Sequence, residues 1–388
     1  MKKMKRLSLF LALTLVLTTC FAGFENIYAG TVSNENGGKV TSVTAQDANS
    51  TEAVKTYVAK MTTGSDNVTV IPVTTKKAGT LAIPLEGIEV GKNVTVSLHT
   101  ASSATDGNRI GSRKYLSSSK TEDTLFAKLK KAGTYYVKFE TSAYSAGTPQ
   151  TVAFAAAVYP NGGTLKRGKI FYGASPDNNG VSYYKVTAPG NGYLTVSFPV
   201  RTADYSAFNI KLANSKKKST YTNFEYISSN KGYKTVIGVK KGTYHIAVKN
   251  SDPAYGIKVS YTGVKENSGT TRSKAKSITK KSTKKGIVTA TQSQNTGDWY
   301  KFKITKAQAV KFTFTVKSNG GGKSGGLKAS FYQAGKSYSA ASVNCYGDDQ
   351  KSVQLYTYGK GNKLAPGTYY IKVQKYSAGN GYYTLKWN

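Results

Sequence analysis

Histidine and cysteine, the side chains most suited to moving a proton near neutral pH or holding zinc, are scarce in this 388-residue chain. There are two histidines, His99 and His245, and two cysteines, Cys20 and Cys345. Acid–base or nucleophilic catalysis needs groups that change charge or attack. The two histidines fall in different parts of the chain, with no recognisable nucleophile motif beside either. Zinc spacings such as His-x₃-His and Cys-x₂-Cys are absent. Gly320-Gly321-Gly322 lacks the Lys-Ser/Thr placement and strand-to-helix setting of a phosphate loop. Asp348-Asp349 could be half of a carboxylate pair, a weak Ca²⁺ ligand set or, with Gly347, a turn. The chain therefore reads as non-catalytic, with no cofactor and no metal expected. The alternative of another class is a secreted hydrolase, or an accessory to one. Turnover lost on changing His99 or Asp348 would revive it.

Binding chemistry is better supplied. Lys and Arg number 55 against 19 Asp and Glu, a formal charge of +36, and there are 29 tyrosines. A field of that size favours polyanionic partners and opposes self-association, so a monomer is expected. Tyr-Ser-Ala-Gly occurs at Tyr144 and again at Tyr376, and Tyr255-Gly256 stands in the corresponding place between them. These tyrosines could stack on a sugar or peptide, or staple a turn. Tyr136 and Tyr370 alternate with Lys138 and Lys372, which makes a mixed aromatic–basic sheet face suited to acidic glycans or single-stranded nucleic acid. Lys216, Lys217 and Lys218 fall at an expected loop tip. Arg272, Lys274, Lys276, Lys280, Lys281, Lys284 and Lys285 form an acid-free strip, either a solvated connector or a contact strip for polyanions.

These residues hang on a repeated strand. Gly367-Thr368-Tyr369-Tyr370-Ile371-Lys372-Val373 has earlier copies in Gly133-Thr134-Tyr135-Tyr136-Val137-Lys138-Phe139 and Gly242-Thr243-Tyr244-His245-Ile246-Ala247-Val248. The spacing is that of small domains rather than of a solenoid repeat. Each copy is a turn glycine followed by period-two alternation, with Tyr369, Ile371 and Val373 on one face and Tyr370 and Lys372 on the other. Further alternating runs cover 68–73, 79–85, 93–98, 151–158, 193–198, 298–304, 310–316, 327–332 and 382–387. Residues 118–132 have helical character, broken by Gly133. The run 255–261 is expected to pair with the second repeated strand as a hairpin. The expected fold class is all-β: three tandem β-sandwich (jelly-roll-like) domains after a signal peptide. The expected boundaries are a disordered leader at 30–50, sandwiches at 51–160, 161–264 and 298–388, and a basic linker and domain approach at 265–297.

Residues 1–29 read as the signal peptide. Lys2, Lys3, Lys5 and Arg6 precede an apolar run at 7–17, and cleavage is expected after Ala29. Lipidation at Cys20 is the alternative and the one route to a membrane that the sequence offers. Removing residues 1–29 takes away four bases and Glu25 and leaves +33. Cys345 then stands alone, which fits a bacterial exterior without disulfides. The expected location is secreted, with association to the cell wall.

The third unit resembles the bacterial pre-peptidase C-terminal (PPC) domain. The resemblance lies in Asp298-Trp299-Tyr300-Lys301-Phe302, the 367–373 strand and Gly381-Tyr382-Tyr383-Thr384-Leu385, and it covers roughly 270–388. The second unit is similar through 183–186 and 242–248, and the first keeps little besides 133–139. The resemblance implies a small β-sandwich carried by secreted proteins, commonly beside a peptidase. Relatives include clostridial collagen-binding domains, which hold Ca²⁺ with clustered acids near an N-terminal linker. The lysine-rich linker here departs from that pattern, so the Ca²⁺ site is not carried over. The resulting expectation is a non-catalytic protein that binds an anionic cell-wall polymer or glycan, with a host extracellular protein such as collagen as the rival partner.

Overall fold

The computed structural model describes residues 31–61, 67–91, 93–141, 149–175, 180–202, 206–222, 224–229, 232–250, 252–319 and 325–388. The leader read as a signal peptide, Cys20 and Tyr144 lie outside the described residues. Strands dominate the rest, as the Tyr-, Val- and Thr-rich alternating runs dictate. Six sheets form, two in each of three successive stretches of chain, so the fold is all-β with three sandwiches in tandem.

The repeated strand organises each sandwich. Gly133–Thr141, Gly242–Lys249 and Gly367–Tyr376 each occupy the centre of a five-stranded sheet. Central placement explains their apolar inward residues: Tyr135, Val137 and Phe139, then Tyr244, Ile246 and Val248, then Tyr369, Ile371 and Val373 are all buried. A short parallel strand closes one edge of each such sheet, at Val43–Thr44, Gly162–Thr164 and Lys276–Ser277. The second and third sandwiches share one plan. Their facing four-stranded sheets are Ile170–Gly173, Tyr255–Gly263, Gly192–Arg201 and Lys234–Val239, and Thr283–Val288, Asn380–Trp387, Val310–Asn319 and Asp349–Leu355. The first sandwich faces a seven-stranded sheet instead. Each sandwich has its own apolar core, and each large side chain fully buried there contributes about 1.5–3 kcal/mol.

The structure corrects four expectations. Residues 31–47 are no disordered leader. Thr31–Asn34, Val43–Thr44 and Gln46–Asp47 pair within both sheets of the first sandwich, and Val32 and Val43 are 3% and 1% exposed. Strands this short show no periodicity, and their partners are distant in sequence. The stretch with helical character holds strand Glu122–Leu129, where Leu125, Ala127 and Leu129 point inward at period two. The expected hairpin is an arch: Tyr255–Gly263 pairs with Ile170–Gly173 and Gly192–Arg201 in the sheet opposite Gly242–Lys249. Both edges of Gly242–Lys249 are already taken, by Ser182–Ala188 and Phe208–Asn214, so the next strand joins the facing sheet rather than folding back in the same one. The basic strip is no free connector. Lys276–Ser277 pairs with Asp298–Ile304, and Thr283–Val288 pairs with Asn380–Trp387, on the edges of the third sandwich. Lysines on such edges also block pairing with another chain.

Neighbouring sandwiches meet through built seams. Between the first and second, Ala82, Ala157, Ala174 and Ala254 pack with Tyr159, while both polar ends of the Asn49 amide bond the Tyr172 backbone, at 2.7 and 2.8 Å. Between the second and third, the Gly238 amide donates to Asn380 Oδ1 at 2.8 Å, and the Ala290 amide donates to the Gly238 carbonyl at 2.8 Å. A Cβ on Gly238 would sit 2.3 Å from the Val288 carbonyl, so only glycine permits this approach.

Candidate functional site

The repeated motif divides its two aromatic positions between bracing and display. The first tyrosine turns inward and its hydroxyl donates to the carbonyl four residues earlier: Tyr135 to Lys131 at 2.8 Å, Tyr244 to Lys240 at 2.9 Å, Tyr369 to Ala365 at 2.9 Å. This pins the incoming loop to the sheet, as a tyrosine corner does in other sandwiches. The next residue lies on the opposite face of the strand, where Tyr136 and Tyr370 are half-buried and His245 is covered, at 7% exposed, with Nδ1 3.1 Å from the Asn214 carbonyl.

In the third sandwich the outward face gathers rings and cations. Tyr370 stands opposite Lys301 on one neighbouring strand and Tyr332 on the other, and Lys372 stands opposite Trp299 and Ser330. The rings of Trp299 and Tyr332 lie 5.6 Å apart. The Arg272 guanidinium lies 4.6 Å from the Tyr370 ring centre and 5.7 Å from that of Tyr332, and Lys372 Nζ lies 5.8 Å from the Trp299 ring. Arg272 donates to the carbonyls of Lys336 and Gln333, both at 2.7 Å, which holds it beside the tyrosine rings while its charge stays unneutralised by those bonds. Lys372 donates to the Asn295 carbonyl at 3.0 Å, and partial burial pulls its ammonium below the usual lysine range. Fixed rings beside fixed cations can stack a sugar or base and hold an anionic substituent at once. Alternation located Tyr370 and Lys372. It missed Trp299, Tyr332 and the stacking role of Arg272, because these meet only through strand order.

The second sandwich repeats the arrangement with smaller means. Tyr183 meets His245 edge-on at 6.4 Å, and Lys217 Nζ lies 5.4 Å from the Tyr183 ring. Lys216, Lys217 and Lys218 are exposed on a tight turn closed by the Lys217 amide to the Asn214 carbonyl and the Lys218 amide to Asn214 Oδ1. In the first sandwich Tyr136 is half-buried and Lys138 pairs with Glu140 at 3.0 Å, so that face is partly neutralised.

The other sequence candidates separate. Tyr255 is a correction: it is 0% exposed, and its hydroxyl meets that of Tyr184 at 2.8 Å between the sheets, so it cannot touch a ligand. Tyr376 is exposed at the far end of the third sandwich, edge-on to Tyr346 at 5.7 Å. Lys274, Lys276, Lys280, Lys281 and Lys285 are exposed and Lys284 is half-buried, around one flank of the third sandwich. Cys345 is fully buried, and burial pushes its thiol up to about 11.

Catalytic readings find partial constellations. His99 Nε2 lies 2.8 Å from Ser97 Oγ, while Nδ1 lies 3.0 Å from both the Thr105 carbonyl and Asn108 Oδ1. That is the order of a nucleophile, base and orienting group. However, Ser97 is 4% and His99 1% exposed, so the pair braces the Asp106–Asn108 turn instead of facing a substrate. Asp298 is buried, accepts from Tyr383 at 2.8 Å and Ser268 at 3.3 Å, and is pushed up to about 8 by burial and by the nearby Glu266. Among the described residues, no three His, Cys, Asp or Glu side chains come together to hold a metal. No helix among those residues is long and apolar enough to cross a membrane.

No family model matches the chain. No curated protein matches it. Among solved structures it is similar to the pre-peptidase C-terminal domain of collagenase from Bacillus anthracis, at 19% identity over 33% of this chain and 100% of that one, with a TM-score of 0.23. It is also similar to the tandem CBM51 modules of a family 98 glycoside hydrolase from Streptococcus pneumoniae, at 8% identity over 59% and 93%, TM-score 0.22. A third likeness is to the tandem CBM22 domain of Xyn10C from Paenibacillus barcinonensis, at 9% identity over 94% of each, TM-score 0.22. Likenesses this distant carry no argument about a ligand, and the sandwich fold stands on the strand pairing itself.

Proposed function

We propose that this chain is a non-catalytic binding protein of the bacterial exterior that holds an anionic cell-wall polymer or acidic glycan on the outward faces of its sandwiches, chiefly the third. The observation that carries this reading is Arg272 held within 4.6 and 5.7 Å of the Tyr370 and Tyr332 ring centres, beside Trp299 and Lys372. Rings supply stacking and the cations supply attraction, and the +33 of the chain beyond residue 29 adds long-range steering. The exposed lysines of the 214–219 turn and of 274–285 extend the same field.

The test is binding of residues 30–388 to teichoic acid, acidic and neutral glycans, collagen and DNA, each at low and physiological salt. Combined Trp299→Ala and Tyr370→Ala changes should weaken the preferred anionic ligand at physiological salt by about 1–2 kcal/mol, roughly five- to thirtyfold. Binding that vanishes for every anion with salt, and ignores those two changes, would sink a built site and leave only diffuse charge. Salt-resistant binding to collagen alone would favour the rival protein partner.

A further inference from the structure

The third sandwich is polarised from end to end. Its acids, Glu266, Asp298, Asp348 and Asp349, all sit toward one end: Asp298 pairs with Val373, Asp349 with Val316, and Glu266 bears on Asp298. The opposite end is where Gly367–Tyr376 begins. Three loops meet there, at 305–309, 334–340 and 356–366. The Gln308 and Leu364 backbones bond each other at 3.2 and 2.8 Å, and the Ala334 amide bonds the Thr368 carbonyl at 2.9 Å. The turn at 278–282 joins them, with the Lys281 amide on the Trp387 carbonyl at 2.8 Å.

These loops hold no Asp or Glu, yet they expose Lys280, Lys281, Lys306, Lys336, Lys360 and Lys363. They also expose Tyr338 at 66%, Tyr356 at 62% and Tyr358 at 98%. The tip carrying Tyr358 is ordered by its own bonds: the Thr357 amide to the Lys363 carbonyl, the Lys360 amide to the Thr357 carbonyl, and Ala365 to Thr357 Oγ1, all at 3.0 Å. Buried Leu364 anchors it. The tips stand free, for a Cβ at Gly335, Gly359 or Gly361 would meet nothing within 4 Å.

We infer that this end of the third sandwich docks on a bilayer surface rich in anionic phospholipid. A soluble chain is best held in a groove or on a flat face, and these tips are convex. A bilayer interface moulds around convex tips, accepts tyrosine rings at headgroup depth and attracts lysines within a Debye length. The inference rests on Tyr338, Tyr356 and Tyr358, none of them part of the aromatic sheet face, and stands or falls with them, although Lys336 also lends its carbonyl to Arg272 and Lys280 and Lys281 belong to the 274–285 strip.

The test uses residues 30–388 with vesicles of phosphatidylcholine alone or with phosphatidylglycerol, at physiological salt. Tyr358→Trp and Tyr115→Trp place reporters at this end and on the first sandwich, where Tyr115 is 53% exposed. With phosphatidylglycerol vesicles, the Tyr358→Trp emission should shift blue and be quenched by acyl-brominated lipid, and the Tyr115→Trp emission should not. Changing Tyr338, Tyr356 and Tyr358 to Ser should lower vesicle partitioning at least about tenfold, while Trp299→Ala with Tyr370→Ala should not. Equal shifts at both reporters, no shift at either, or parental partitioning of the triple variant would overturn the inference. So would an equal loss of soluble polyanion binding in that variant, which would assign the tyrosines to a soluble polymer.

Discussion

Tyr369 and Tyr370 are adjacent and identical in type, yet the pleat gives them opposite work. Removing the Tyr369 hydroxyl with Tyr369→Phe orphans the Ala365 carbonyl it caps and should cost about 1 kcal/mol in denaturant unfolding, whereas Tyr370→Phe should cost almost nothing. Alternation made the inward and outward assignment legible from sequence. The reach back to residue i−4 was not legible, because it depends on how the loop before Gly367 folds. Asp298 makes a second case. Its carboxyl is pushed up to about 8 in the folded chain, against an ordinary 3.8 when free. Between those values the folded state keeps a proton that the unfolded state has lost. Stability contributed here is therefore present in mild acid and is lost as pH rises from about 4 through about 8. Asp298→Asn should flatten that slope, so the gain in melting temperature of the variant over the parent should be larger at pH 8 than at pH 5. An equal difference at both pH values would mean that Asp298 is ionised throughout.

At the scale of elements, long amphipathic strands were readable and short or crossing ones were not. The repeated strands, Asp298–Ile304 and Val310–Asn319 follow period two closely enough to announce themselves. The arch from Gly242–Lys249 to Tyr255–Gly263 looks like a hairpin locally, but Gly242–Lys249 is paired on both edges by strands distant in sequence, and the next strand crosses to the facing sheet, where Tyr255 meets Tyr184. The candidate face shares this limit: Tyr370 and Lys372 were visible on one strand, while Trp299 and Tyr332 joined them through neighbours in the sheet. The N-terminal strands allow a direct check. A chain beginning at residue 51 would lose Thr31–Asn34 from one sheet and Val43–Thr44 from the other, and with them buried Val32 and Val43. Two such side chains are worth about 1.5–3 kcal/mol each. The shorter chain should therefore unfold its first sandwich at lower denaturant than a chain beginning at residue 31, with the third transition unmoved and the second lowered only by loss of the Asn49 bonds to Tyr172. Superimposable unfolding curves would return 31–50 to the status of a leader.

Across the whole molecule, the seams decide whether three faces act together. The cores are separate except that Ala290, from the chain entering the third sandwich, joins the core of the second, and a ligand long enough to span two sandwiches gains only if their spacing is fixed in advance. Gly238 is the point on which the second seam turns. Its amide and carbonyl both bond the third sandwich, and Tyr193 meets Tyr382 beside it at 5.5 Å. Gly238→Val would drive a side chain into the Val288 carbonyl and part the two sandwiches without entering either core. The expected result is a larger radius of gyration in solution scattering and weaker binding of long anionic polymer, with affinity for fragments that reach only one face unchanged. Charge alone predicts otherwise, because the substitution leaves every lysine in place. If long and short ligands kept their parental affinities while the scattering showed the seam open, the faces would be independent sites on a common string, and the rigid spacing would serve stability rather than recognition.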